Sequence, residues 1–408
     1  MDSLAGNAPR ASEKTAPPDA APLVARVTAG FAATFGGPPA SVWFAPGRVE
    51  VLGNHTDYNE GYVLSAALAE GVAFALRPLA GTRGRLCALD FGRKVELDAA
   101  RPAPMPTAAW ANYALGALHF VRERAGGAPR GFEAAFAGDL PVGGGLSSSA
   151  ALSVSAALAF AELYGAALSP LDIARIAQRA EHEFAGVRCG LLDPISSLFG
   201  AAQSMVFTDF RTLEVRRVAL PPGTAFLICN TGVKHRLVDS AYNERRAACE
   251  RAAAHFAARL PHPVRALRDV SPAEWQAEKS GLDPDDARRA AHPIGENARV
   301  LQGVARLAAG DAAGFGALLR ESHRSSVENF ENSCRELDLA VAAFERQPGV
   351  WGARLTGGGF GGSALAFVEE SRAEAIAQAV ARETTRAFGR ATAVRRIRPS
   401  NGARRIGD

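Results

Sequence analysis

The residues best equipped for chemistry fall in three glycine-marked segments. In the first, Pro141-Val142-Gly143-Gly144-Gly145-Leu146-Ser147-Ser148-Ser149, three glycines run into three serines between a strand-like and a helix-like stretch. Glycines there let the backbone adopt positive φ and approach a ligand closely. A helix starting behind them offers unpaired N–H groups and a positive dipole end, an anion site. Serine hydroxyls add donors and one oxygen ligand for magnesium. The loop lacks the lysine of G-x-x-x-x-G-K-[ST], and the spacing and downstream acid of a dinucleotide site, so it belongs to neither class. A plain flexible linker is disfavoured, because linkers are seldom held between a strand and a long apolar helix.

The second segment, Asn54-His55-Thr56-Asp57-Tyr58, sets an amide, an imidazole, hydroxyls and a carboxylate between glycine-marked turns. Such a set suits the several hydroxyls of a neutral sugar. The third, Gly357-Gly358-Gly359-Phe360-Gly361-Gly362, lies between strand-like ARLT and SALAFV. That many glycines weaken a strand, which points to a tight turn or a close backbone approach.

The elements that must position these segments are readable from periodicity. Residues 22–35 have helical apolar spacing, stopped by Gly36-Gly37 and Pro38-Pro39. VWF, VEVLG and GYVLSAALAEGVAFALRP suggest strands, as does GFEAAFAGDL before the first glycine loop. Residues 149–164 form a helix apolar nearly all round, therefore buried. A further helix spans 169–184. The second half opens with MVFTDF, LEVRRVAL and AFLICNTG as strands, then helices over 241–260, 293–307, 312–328 and 374–388. Strands with antiparallel-style turns and clustered helices give an α+β class.

Bulk properties limit the alternatives. The chain has 408 residues, 48% hydrophobic and 22% charged, with a net charge of +4. It is globular, long enough for two or three domains, and too weakly basic for nucleic acid or a membrane surface. No apolar run is long enough for a membrane span. The five cysteines are scattered without a Cys-x-x-Cys pair, which fits reduced cytoplasmic thiols. Residues 1–21 are charged and proline-containing, with no secretory h-region, and are expected to be a disordered extension. Only Lys14, Lys94, Lys234 and Lys279 are lysines among 46 basic residues; none lies in the glycine loop.

The loop at 141–149 resembles the second motif of the GHMP small-molecule kinases. Two more segments match that family in order. Ala45-Pro46-Gly47-Arg48-Val49-Glu50-Val51-Leu52-Gly53-Asn54-His55-Thr56-Asp57-Tyr58-Asn59 is similar to the galactokinase signature, and 354–362 to the C-terminal motif. Smaller echoes are Trp110-Ala-Asn-Tyr, Cys189-Gly-Leu-Leu-Asp193, the run from Asp239 through Tyr242, and Ser333 to Asp338. The resemblance covers about residues 22–400.

It implies a two-domain fold with mixed sheets and the site in the cleft between domains: 22–204, 205–400 and a tail at 401–408. It implies ATP-dependent phosphorylation of the anomeric hydroxyl of galactose, with Mg²⁺, by a cytoplasmic monomer having no nucleic-acid or membrane partner. Asp193 matches the catalytic base and Arg48 the arginine beside the reacting hydroxyl. From residue chemistry alone, an Arg48–Asp193 ion pair supporting a turn is an equal alternative. Asn54, His55, Asp57 and Tyr242 match the sugar pocket. Gly143, Gly144, Gly145, Leu146, Ser147, Ser148 and Ser149 match the phosphate loop. Trp110 matches an aromatic near the base, with a core role as the alternative. Glu181 and Ser149 match the magnesium ligands.

Two departures bear on this. The family has Asn at position 50 and Glu at position 54, where this chain has Glu50 and Asn54. If both side chains occupy one volume, a carboxylate and an amide are retained; otherwise an acceptor for the sugar's terminal hydroxyl is lost and galacturonate, arabinose or N-acetylgalactosamine become candidates. Pro194 follows Asp193 where the family has Gln, which removes an N–H. A non-catalytic sugar sensor is the reading from another class; Asp193, Arg48 and the complete serine run speak against it.

Overall fold

The computed structural model describes residues 20–141, 144–187, 189–234 and 238–407. The expected N-terminal extension and Gly143 thus lie outside the described residues, apart from the start of the first helix.

The chain opens with α1 (Ala21–Phe35), β1 (Ser41–Leu52), β2 (Tyr62–Leu79), β3 (Arg83–Ala88) and β4 (Arg93–Asp98). Next come α2 (Asn112–Ala125), β5 (Gly131–Gly138), α3 (Ser148–Tyr164), α4 (Pro170–Arg179) and α5 (Leu192–Phe199). β6 (Ser204–Asp209), β7 (Glu214–Ala219), β8 (Thr224–Lys234), α6 (Val238–Ala257), α7 (Pro272–Glu278), α8 (Pro284–Ala308) and α9 (Ala312–Ser325) follow. The chain ends with α10 (Arg335–Glu345), β9 (Val350–Thr356), β10 (Gly361–Glu369), α11 (Ala373–Phe388), β11 (Val394–Ile397) and β12 (Arg404–Ile406).

Among the described residues the strands form two sheets. The larger runs β12-β1-β2-β5-β3-β4, with β6 on the first half of β2 and β7 beyond it; the smaller is β11-β8-β10-β9. All pairs are antiparallel except β3 with β5. Leu23, Val27 and Phe31 of α1 cover one face of the larger sheet. On its other face lies α3, buried along nearly its whole length as its uniform Ala/Leu composition requires. Val49, Val51, Leu64 and Phe207 of the larger sheet meet Phe226, Ile228, Leu365 and Phe367 of the smaller across a shared core. α10 and α11 close the far side of the smaller sheet.

The expected divide near residue 204 separates sequence but not sheets, since β6 and β7 lie beyond it and pair into the larger sheet. Residues 401–408, read as a tail, contain β12, which pairs with Val42 to Phe44 of β1. The helix expected over 293–307 begins at Pro284, because Asp283 caps it, and runs through Pro293. VWF and VEVLG are one strand; a register shift between Pro46 and Arg48 absorbs the proline.

Candidate active site

The phosphate loop ends on α3. Gly145 (φ +70°) and Ser147 (φ +59°) both take the left-handed conformation, which turns the chain abruptly into the helix. No side chain caps the N-terminus of α3 among the described residues, and its first turn has no acid. Its N–H groups therefore face the loop as free donors for an anion. The loop is fastened from both sheets: Arg48 N donates to Leu146 O at 3.1 Å, and Ser363 Oγ of β10 donates to Gly144 O at 2.9 Å.

Arg48 ties this loop to the acid. Its Nε donates to Asp193 Oδ1 at 2.6 Å and its Nη1 to Gly145 O at 2.7 Å. Ser147 Oγ donates to the other oxygen, Asp193 Oδ2. Both oxygens of Asp193 are thus aimed, with the carboxylate beside the start of α3. Asp193 is in the first turn of α5. Pro194 follows it in that turn, where N–H groups have no intrahelical partner, so the proline costs no helix hydrogen bond.

Beside Asp193 opens a polar cavity of about 210 Å³, walled by Arg48, Glu50, Asp57 and Tyr242 and by the backbone of Gly190 and Gly357. It draws on both halves of the chain. A Cβ at Gly190 would sit 2.2 Å from Asp57 Oδ2, so glycine is required for the carboxylate to fit. Burial, with Asp193 adding to it, raises the Asp57 pKa to about 6. Burial, and then the charge of Asp57, pushes the Tyr242 hydroxyl well up.

The Glu50/Asn54 exchange resolves into one shared volume. Asn54 Nδ2 donates to Glu50 Oε1 at 2.9 Å and to Gly357 O at 2.8 Å, while Asn54 Oδ1 accepts from Asn332 Nδ2 at 2.9 Å. Both amide hydrogens of Asn54 are therefore spent inside the protein, and Glu50 is the carboxylate left to face a ligand. Burial raises its pKa to about 7 against the pull of Arg354 and Arg48. His55 is likewise occupied: Nε2 lies 3.1 Å from Gly358 O and Nδ1 3.0 Å from the Tyr58 hydroxyl. Burial lowers its pKa to about 4, so the neutral ring donates to the carbonyl and accepts from Tyr58. It props the cavity wall.

Glu181 follows α4 in a π-helical turn and is 2% exposed. Burial, and then the nearby charge of Asp193, raises its pKa to about 7, with the Ser149 hydroxyl lowering it in part. Its Oε1 is buried without a hydrogen-bond partner. An orphaned carboxylate oxygen beside a hydroxyl, at the mouth of a phosphate loop, fits a hard cation. Trp110 is separate from the cavity: it is half-buried and leans on Phe136, 5.9 Å between ring centres, against the core that also takes Leu140 ahead of the loop.

Sequence reasoning missed three contributors. Arg354, fully buried, donates to Val51 O at 3.0 Å and lies behind Glu50. Asn332 holds Asn54. Glu296 accepts from the backbone of Gly53 and Asn54. A charged residue on the inward face of a long amphipathic helix was the available signal for Glu296.

Fold and site together define a GHMP kinase. The model for the GHMP kinases N terminal domain matches residues 112–201, and that for the GHMP kinases C terminal matches 304–386. The galactokinase galactose-binding signature matches 29–78. The galactokinase of a Roseiflexus species is 38% identical over 364 residues, 89% of this chain and 92% of its own length. That of Actinobacillus pleuropneumoniae serotype 3 is 37% identical over 86% of this chain and 91% of its own. The Lactococcus lactis galactokinase complexed with galactose superposes with a TM-score of 0.87 at 30% identity, covering 92% of this chain and 98% of that one. The Methanococcus jannaschii mevalonate kinase, at 16% identity and TM-score 0.64, shares the fold. The chain belongs to the galactokinase family.

Proposed function

We propose that the protein transfers the γ-phosphoryl group of ATP to the anomeric hydroxyl of D-galactose, giving α-D-galactose 1-phosphate and ADP. The observation that carries this is Asp193: it is oriented by Arg48 and Ser147, borders the polar cavity, and adjoins the free N-terminus of α3. Asp193 takes the proton as the hydroxyl oxygen bonds to phosphorus and the bond to the ADP oxygen breaks. Arg48 orients that carboxylate through its Nε donation and supports charge developing on the phosphoryl group. The glycines and serines of the loop hold the phosphates by backbone N–H groups and hydroxyls, and Trp110 with Phe136 and Leu140 offers an apolar bed for the base.

Asp57 and Tyr242 line the sugar cavity, and Glu50 supplies the carboxylate for its terminal hydroxyl. His55 and Asn54 shape the wall. Ser149 and Glu181 would hold Mg²⁺, which neutralises phosphate charge when bound. Above pH 7, where Glu50 is ionised, galacturonate is disfavoured because its carboxylate would face another. The scattered free cysteines support a cytoplasmic setting, and no helix among the described residues is long and apolar enough to cross a membrane. Among the described residues the large exposed apolar side chains are few, Phe91, Val187, Leu301 and Val327, which supports a monomer.

The test is ADP release by the purified protein with Mg-ATP and galactose, galacturonate, arabinose, glucose or N-acetylgalactosamine. Galactose should turn over fastest. Tight sugar binding with no turnover of any sugar would favour a sensor and sink the enzyme reading.

A further inference from the structure

The loop between β1 and β2 brings Asn54, His55 and Asp57 to the cavity, and both of its ends are fastened to one helix. At the entrance, Glu296 Oε2 of α8 accepts Gly53 N at 2.9 Å and Asn54 N at 3.1 Å. At the exit, the next residue, Asn297, accepts Tyr62 N at 3.0 Å through Oδ1. The contact is close enough to dictate sequence: a Cβ on Gly61 would stand 2.2 Å from Asn297 Oδ1. Glu296 is completely buried, and its second oxygen accepts Arg299 Nε at 2.5 Å. Burial alone would favour the protonated acid, but Arg299, with His292 and Arg354 behind it, holds the carboxyl well below the usual range. A group fixed as an anion can only accept, which is what two converging N–H groups demand. An amide that kept its oxygen on those two N–H groups would turn its NH2 donor against Arg299 Nε.

The groups around the phosphate, by contrast, come from β1, the phosphate loop, the turn after α4 and α5. We propose that Glu296 and Asn297 are positioning residues that clamp both ends of the sugar loop, so that sugar affinity depends on them and phosphoryl transfer does not. This rests on the reading of the cavity as the sugar site.

The test uses the full chain carrying Glu296→Gln or Asn297→Ala, with steady-state kinetics and amide hydrogen exchange over residues 53–62 in the absence of sugar. Loss of a charged acceptor predicts that Glu296→Gln raises the galactose KM about ten- to hundred-fold. The ATP KM stays unchanged and kcat stays within about threefold, as expected when only ground-state positioning of the sugar is lost. Exchange at Gly53 and Asn54 accelerates. Asn297→Ala gives a smaller KM rise, up to about tenfold, with faster exchange at Tyr62; it decides the matter if Glu296→Gln does not fold. A merely structural role lowers the active fraction, and so kcat, at unchanged KM; that result, or unchanged exchange at both ends of the loop, overturns the clamp. If the unaltered chain does not turn over galactose, the sugar reading fails, and the exchange arm still judges the clamp.

Discussion

Replacing Glu50 with glutamine should stabilise the protein at alkaline pH and leave it unchanged in mild acid. Glu50 is 4% exposed, and folding raises its pKa from the ordinary 4.5 to about 7. Below pH 4.5 the carboxyl is protonated in both folded and unfolded chains, and stability carries no penalty. Between the two values the unfolded chain gives up its proton while the folded one keeps it, so stability falls as pH rises. Above pH 7 the loss is complete, about 3 kcal/mol at about 1.4 kcal/mol per pH unit. Glutamine keeps an oxygen for Asn54 Nδ2 and cannot ionise. At roughly 2.1 cal/mol/K per residue, a chain of this length unfolds with about 0.9 kcal/mol/K, so the gain is about 3–4 °C in Tm. Thermal unfolding of both proteins at pH 5 and pH 8 measures it. A Tm difference of equal size at both pH values, or a lower Tm for the variant at pH 8, would refute the reasoning. The same substitution should weaken galactose binding, since the carboxylate facing the sugar is gone.

Two more substitutions probe neighbouring claims. Asn54→Glu alone sets a second carboxylate against Glu50 and removes the two donations of the Asn54 amide. It should cost about 2 kcal/mol or more in urea unfolding at pH 8, while the double exchange Glu50→Asn with Asn54→Glu recovers most of that loss; additive penalties would show that the two side chains do not share a volume. Glu181→Gln should raise the magnesium concentration for half-maximal activity by roughly tenfold at an unchanged galactose KM. Because the Glu181 pKa is raised to about 7, the unaltered protein should need less magnesium at pH 8 than at pH 6. A requirement independent of both pH and the substitution would remove Glu181 from the metal site.

Much of the fold was legible because its elements carry their own signals. α1 has its apolar stripe and glycine stop, α3 its continuous Ala/Leu run, and Ser169 with Asp172 forms a reciprocal cap on α4. What periodicity could not reach was pairing between distant segments. β12 follows β11 of the smaller sheet, yet it completes the edge of the larger sheet beside the strand begun at Ser41. β6 joins β2 because Tyr62 to Ser65 is left unpaired on that side by β5. The site divides the same way. The phosphate loop and Asp193 stand out through residue type and order. The spending of Asn54 and His55 on internal partners depends on Gly357, Gly358 and Asn332, some three hundred residues away. Arg354 opens the C-terminal glycine motif, yet nothing in the sequence says that it is fully buried behind Glu50.

The most direct test of the account is the identity of the product and its dependence on Asp193. With Mg-ATP and galactose, nuclear magnetic resonance of the reaction mixture should show phosphate on the anomeric oxygen, one equivalent per ADP released. Asp193→Asn should lower kcat by about 10²- to 10⁴-fold while calorimetry still shows galactose bound. Full activity in that variant, or phosphate on any other hydroxyl, would contradict it.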